Sequence, residues 1–320
     1  MSEKIMTRRG VLSIGATFAA GALIGRPHIA SAANYPDRPI TILIPYGPGG
    51  GYDSYAREFA SVLTKQMKVN VEPVNLPGGG GAEAIFQLAQ DNPTGYHVSL
   101  INTLGILLSK NRQAIHLDKL TWIANLGRDP FGLAVSAKSS INTPEDLQKI
   151  GASRPISFAS SGTDASFFAA KVFCASLGIG SKFISGYKGS VNSAVAVARG
   201  DVDAVVYSLS TLQNLQSAGL IRTIFSFEDK SSIPGIEDAT SVNKPDLANI
   251  YESRPIVAPP GLDPEIATIL SDNFVRAANT PEVIAWATKI KTVLNPLDKK
   301  GAYEMFKSEE RLVDKWQHIF

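Results

Sequence analysis

From residue 38 onward, short β-branched apolar runs alternate with longer stretches in which apolar residues recur every three or four positions. That is the pattern of an α/β chain with mainly parallel sheets. Pro39 to Ile44 reads as a first strand, and 54–65 as a helix with Tyr55, Phe59, Val62 and Leu63 on one side. The module recurs: 69–74 as a strand, 75–81 as a glycine loop, 82–90 as a helix, then 96–101 as a third strand. After a strand at 131–135, Thr143 followed by Pro144 predicts a capped helix start and opens a second unit. There the alternation continues with a strand at 156–159, a loop from Ser160 to Ser166 and a helix from about Phe167 to Leu177. A strand at 182–185, a helix at 191–198 and a strand at 204–207 follow. Segments 221–225 and 256–258 read as returning strands, and 264–278 and 281–290 as closing helices. The expectation is an α/β chain of two domains joined by crossing strands, each a mainly parallel sheet flanked by helices, with residues 33–132 and 255–320 in one and 133–254 in the other.

The N-terminus changes the picture of where the chain works. Lys4, Arg8 and Arg9 precede an uncharged stretch from Val11 to Ile24, and Ala30-Ser31-Ala32 supplies a cleavage pattern of small residues. Residues 1–32 therefore read as a signal peptide, cleaved near Ala32, rather than a membrane anchor, because the apolar stretch is short and only mildly hydrophobic. Thr7-Arg8-Arg9 gives it a twin-arginine look. Removing this segment takes Lys4, Arg8, Arg9 and Arg26 from 31 basic residues and Glu3 from 29 acidic ones, leaving 27 against 28. A neutral mature chain has no basic footprint for nucleic acid or an anionic membrane. One cysteine, Cys174, excludes an intrachain disulfide.

Three glycine-rich loops each join a strand to a helix. First-turn N–H groups lack internal partners and the helix dipole adds positive charge there, so such loops bind carboxylates without a cation. Glycine lets the backbone approach; tight turns are the plainer explanation of any single loop. Nucleotide cradles are excluded by spacing: Gly47-x-Gly49 lacks its third glycine, and no loop ends in Gly-Lys-Ser/Thr.

Taken in order, these segments resemble the substrate-binding receptors of tripartite tricarboxylate transporters, the Bug receptors. The likeness rests on Tyr35 to Ile40, Pro45 to Asp53, Asn75 to Gly81, Thr94-Gly95-Tyr96, Ser160-Ser161-Gly162, Gly186 to Ser190, Gly200 to Asp203, Ala258 to Gly261 and Glu310 to Trp316. The resemblance implies a two-domain periplasmic-binding-protein (Venus-flytrap) fold with the ligand cleft between the domains, which captures a small organic acid for membrane transporter subunits, as a soluble periplasmic monomer without cofactor. It places ligand contacts at Tyr46, Gly49, Gly50, Gly51, Tyr52 and Asp53 in the first loop and at Asn102 and Thr103 beyond the third strand. In the second domain it implies Ser160, Ser161, Gly162, Thr163 and Ser166, then Tyr187, Lys188 and Asp203. Arg254, before Pro255, is a candidate partner for a distal carboxylate, against the surface role usual for arginine. Tyr52, Phe167 and Ser253-Arg254 depart from the family's usual Thr, His and aromatic residues, which leaves the ligand open.

A periplasmic hydrolase or isomerase acting on the same acids is the alternative. Against it, His97, His116 and His318 lack metal-chelating spacing. Ser161 is not in a Gly-x-Ser-x-Gly elbow, and Cys174 lies among apolar helix residues, as an inert thiol would. Asp201 and Asp203 read as loop anchors at a strand start rather than metal ligands.

Overall fold

The computed structural model describes residues 34–109 and 115–320. The segment read as a signal peptide, with its cleavage point, lies outside them. The first unit runs β1 (Ile40–Ile44), α1 (Gly51–Met67), β2 (Val71–Asn75), α2 (Ala82–Gln90), β3 (His97–Leu100) and α3 (Thr103–Leu108). A 16-residue strand, β4 (Thr121–Ser136), then carries the chain into the second unit. That unit comprises α4 (Pro144–Gly151), β5 (Ile156–Ser160), α5 (Ala165–Leu177), β6 (Ser181–Ser185), α6 (Ser190–Arg199), β7 (Ala204–Ser208), α7 (Leu209–Ser217), β8 (Ile221–Ser226) and β9 (Glu237–Asp238). The chain returns along β10 (Tyr251–Ala258) and closes with α8 (Pro264–Ala278), α9 (Pro281–Ile290), β11 (Leu294–Leu297) and α10 (Lys299–Trp316).

The start of α4 shows how local chemistry sets these limits. Thr143 accepts from the Asp146 N–H, the Asp146 carboxylate accepts from the Thr143 N–H, and Pro144 occupies the first helical position. Two otherwise orphaned donors are satisfied by side chains three residues apart. Helix α5 begins two residues earlier than expected because Asp164 caps it, accepting from Phe167 N–H at 2.8 Å.

Strands β1, β2 and β3 pair in parallel, as do β5, β6 and β7. The crossing strands run antiparallel: β10 to β3 and β4, and β4 to β7 and β8. The sheets are thus mixed, because a chain returning from the other lobe arrives reversed. Strand β4 serves both lobes, with Thr121 to Pro130 paired to β10 and Phe131 to Val135 to β7. Its first half escaped the sequence pattern because Asn125, Gly127, Arg128 and Asp129 interrupt the apolar run.

One core packs α1 and α8 on β1 and β3 through Ile42, Ile44, Phe59, Leu270 and Phe274. A second extends from Leu43 and Ile101 through Trp122 and Phe306 to Phe131, Phe158 and Phe168. The C-terminus joins the lobes: Phe320 stacks on Phe168 at 5.6 Å. Among the described residues no helix is long and apolar enough to cross a membrane.

Candidate functional site

Gly50 stands at the N-terminus of α1 with φ −89° and ψ 177°, and no side chain caps the helix. Gly189 holds the equivalent place on α6, also without a side-chain cap. First-turn N–H groups have no internal acceptor, and the aligned peptide dipoles put roughly half a positive charge at such an end. Both open ends border one narrow cavity between the lobes, with a volume of about 30 Å³. Ser190 Oγ lies buried beside them without a hydrogen-bond partner. A Cβ on Gly50 would stand 3.0 Å from that oxygen. An uncommitted hydroxyl therefore sits between two uncapped helix N-termini, an arrangement that suits a carboxylate.

The walls are set by neutral phenols. Tyr46 and Tyr52 pack with ring centroids 5.0 Å apart. Tyr46 donates to Gly80 O at 2.9 Å, and Tyr52 to Ser253 O at 3.3 Å. Burial holds both phenols well above their ordinary pKa, so they remain protonated. Tyr207 Oη is 2.8 Å from Ser193 Oγ. Ser161 Oγ faces Tyr207 but is buried without hydrogen-bond geometry to any partner.

Two acids complete the lining. Asp164 is fully enclosed; burial pushes its carboxyl up to about 7, the Phe167 N–H pulls it down, and the Glu252 charge raises it again. Glu252, 5% exposed, borders the same cavity. Behind it Arg254 is completely buried, 2.8 Å from Glu252 and 3.4 Å from Asp129. Its guanidinium lies over the Tyr52 ring at 4.3 Å. Burial alone would lower the Arg254 pKa; Glu252, Tyr52 and Asp129 outweigh it and keep the side chain charged.

The lobes touch around this cavity. Gly47 N–H donates to Lys188 O at 2.8 Å. Asn102 Oδ1 accepts from Gly105 N–H at 2.9 Å and, across the cleft, from Ala165 N–H at 3.0 Å. Gly80, at φ +69°, comes so near the opposite loop that a Cβ would stand 2.6 Å from Thr163 O. Only glycine permits that approach. A larger groove of about 910 Å³, bounded by Gln213, Ser217, Ile284, Thr288 and Lys291, is wide open, and none of the three glycine loops reaches it.

Of the residues expected at the site, Tyr46, Gly50, Gly51, Tyr52, Asn102, Ser161 and Ser166 line the cavity. Gly49 and Asp53 do not: Gly49 N–H donates to Asp53, whose carboxylate also holds Arg57 and Asn75. Ser160 closes on Gly162 within its own loop, and Gly162 and Thr163 press on Gly79 and Gly80. Thr103 is buried outside the lining, and Tyr187 and Lys188 also stand outside it, Lys188 contributing its carbonyl to lobe contact. Asp203 is spent on Arg154, at 2.7 Å to both nitrogens, and on Ser157. Arg154 and Ser157 hold its carboxyl down to about 2 against burial, which would raise it. Arg254 is neither at the surface nor in the cavity, because two carboxylates engage it behind Gly51.

Sequence reasoning missed Gly47, Asp164, Gly189, Ser190, Tyr207, Thr211 and Glu252 as lining residues. Asp164 and the Gly189-Ser190 pair lie inside loops the motifs had marked. Tyr207, Thr211 and Glu252 had no such signal, since they come to the site from distant strands and helices. The α5 N-terminus, expected to hold the anion, is already occupied by its own Asp164 cap.

A family model described as tripartite tricarboxylate transporter family receptor matches residues 55–310. A UPF0065 protein in the gbd 5' region of Cupriavidus necator is 27% identical over 278 residues, 84% of this chain and 83% of that protein. Protein BugT of Bordetella pertussis is 26% identical over 291 residues, 87% of each. Among solved structures, MatC from Rhodopseudomonas palustris with bound malate superposes with a TM-score of 0.80 at 18% identity, covering 89% of this chain and 99% of that one.

Proposed function

The chain belongs to the tripartite tricarboxylate transporter receptor family, and from that premise we propose that it is an exported receptor that closes on a small carboxylate and hands it to a membrane transporter. The carrying observation is the unpartnered Ser190 Oγ between the open N-termini of α1 and α6. A carboxylate there accepts from backbone N–H groups and a hydroxyl, each such bond to a charged acceptor contributing roughly 1.5–3 kcal/mol. The malate in MatC, a relative by fold, is consistent with an organic acid.

Closure is part of the proposal. Residues 33–132 with 255–320 and residues 133–254 act as two bodies hinged on β4 and β10, and the lobe contacts at Gly47, Gly80 and Asn102 belong to the closed state. Saturating ligand should lower the radius of gyration in solution scattering; an unchanged radius argues against the clamp. The mature chain starts near Ala33 in the periplasm and works as a monomer. N-terminal sequencing of envelope protein checks this, and intact Met1 on cytosolic protein refutes it.

The receptor is non-catalytic in this reading. Burial pushes the Cys174 thiol up to about 12, and Ser161 faces a phenol rather than a basic side chain. Mass spectrometry of small molecules released on denaturation should return a carboxylic acid unchanged after incubation with fresh protein. A product that accumulates with time overturns the receptor reading in favour of a hydrolase or isomerase.

A further inference from the structure

Side chains alternate across a strand, so Arg128 and Tyr251 point away from their neighbours Asp129 and Glu252, and hence away from the cleft. On that opposite face of the crossing strands they meet α10. Arg311, Leu312, Lys315 and Trp316 lie one turn apart on one side of this helix, and with Arg128 and Tyr251 they border a separate groove of about 360 Å³. The Arg128 guanidinium stands over the Tyr251 ring at 3.8 Å, which leaves its N–H fork unspent. Among the described residues neither Arg128 nor Arg311 has a hydrogen-bond or ion-pair partner for its guanidinium. The acids at the groove are already engaged, Asp246 with Lys315 at 3.0 Å and Glu309 with Ser253 at 2.6 Å. Trp316 Nε1 is buried without an acceptor, and such an N–H carries the full cost of its desolvation.

We propose that this groove is a second ligand site, distinct from the cleft, for a small aromatic carboxylate. Arg128 and Arg311 hold its oxygens, and Trp316 Nε1–H donates a further hydrogen bond. Guanidinium forks match the planar, two-oxygen geometry of a carboxylate. The aromatic body follows from the walls: Tyr251, Leu312 and Trp316 are each half-buried, and the apolar surface they leave exposed adjoins the cations. An inorganic anion would satisfy the donors and leave that surface in water, whereas a flat ring covers it. The site stands independently of what the cleft holds.

The test uses the protein's own reporter. The chain has three tryptophans, Trp122, Trp286 and Trp316, so labelled indole nitrogens give three N–H signals in NMR, and Trp316→Phe assigns the one at the groove. Titration with benzoate, phenylacetate and 4-hydroxybenzoate at constant ionic strength should move the Trp316 signal saturably for at least one acid, while sulfate leaves it in place. Arg128→Gln and Arg311→Gln should each raise the dissociation constant read from that signal by about tenfold, the order of one charge-assisted hydrogen bond. Thermal melts check both variants; Arg311 is exposed on α10, so its replacement keeps the test open if Arg128→Gln unfolds. A Trp316 signal that none of the three acids moves overturns the proposal, as does an equal shift with sulfate. A dissociation constant that a folded arginine variant leaves unchanged also overturns it, and places the bound acid in the cleft.

Discussion

Replacing Gly50 by valine puts bulk where the two helix ends meet. The backbone at Gly50 is extended, φ −89°, so valine is accommodated without strain and the fold should survive; what glycine provides here is space, not a positive φ. The new Cβ would stand 3.0 Å from Ser190 Oγ, tighter than ordinary contact, with two methyl groups beyond it in the cavity. A carboxylate would then lose a first-turn N–H of α1 and the Ser190 hydroxyl. Two hydrogen bonds to a charged acceptor amount to about 3–6 kcal/mol, or roughly two to four decades of affinity. Gly50→Ala adds one Cβ against a hydroxyl that can rotate, and should cost less than about one decade. Calorimetry with the acid recovered from the parent protein, beside thermal melts of both variants, measures the difference. Parent-like binding by a folded Gly50→Val protein would mean that the α1 N-terminus does not hold the anion.

Ser190→Ala should lower affinity by about one to two decades while the ligand-free melting temperature holds or rises, because a buried unpaired hydroxyl costs stability; a fall in both would mark Ser190 as structural. Glu309 is buried, its Oε1 accepting from Ser253 Oγ at 2.6 Å, and burial pushes its carboxyl up to about 7. The folded protein therefore keeps a proton that the unfolded chain releases near pH 4.5, so stability should fall as pH rises from about 5 to 7. Glu309→Gln should flatten that part of the melting-temperature profile, and an unaltered slope assigns it elsewhere, Asp164 included. Arg254→Met leaves Glu252 and Asp129 buried without their cation and should cost about 3–5 kcal/mol by urea unfolding; a loss below about 1 kcal/mol would show that the carboxylates find protons or other partners.

Much of the fold was legible because its determinants are local. Helices α2, α8 and α9 have the limits that periodicity and Pro placement indicate. The loop at Gly47–Gly51 was also marked, since a glycine run between a strand and a helix is itself a sequence signal, whereas Gly186–Ser190 was marked only through the family resemblance. Helices α3, α7 and α10 and strands β9 and β11 were missed: α3 is six residues long, β9 two, and α7 and β11 carry no strong apolar period, whereas α10 has a clear apolar face of Ala302, Met305, Phe306 and Val313 that was not read as a helix.

The sequence by itself determined the strand–loop–helix modules, because capping, turn chemistry and periodicity act within a few residues. Only the tertiary structure decided which loops face each other. It paired the α1 end with α6 rather than with α5, whose N-terminus Asp164 fills. It also moved Arg254 from candidate ligand partner to a buried counter-ion and brought Glu252 to the cavity. Those outcomes depend on how two lobes close over strands β4 and β10, where residues more than a hundred positions apart share one low-dielectric space, and no local pattern encodes that proximity.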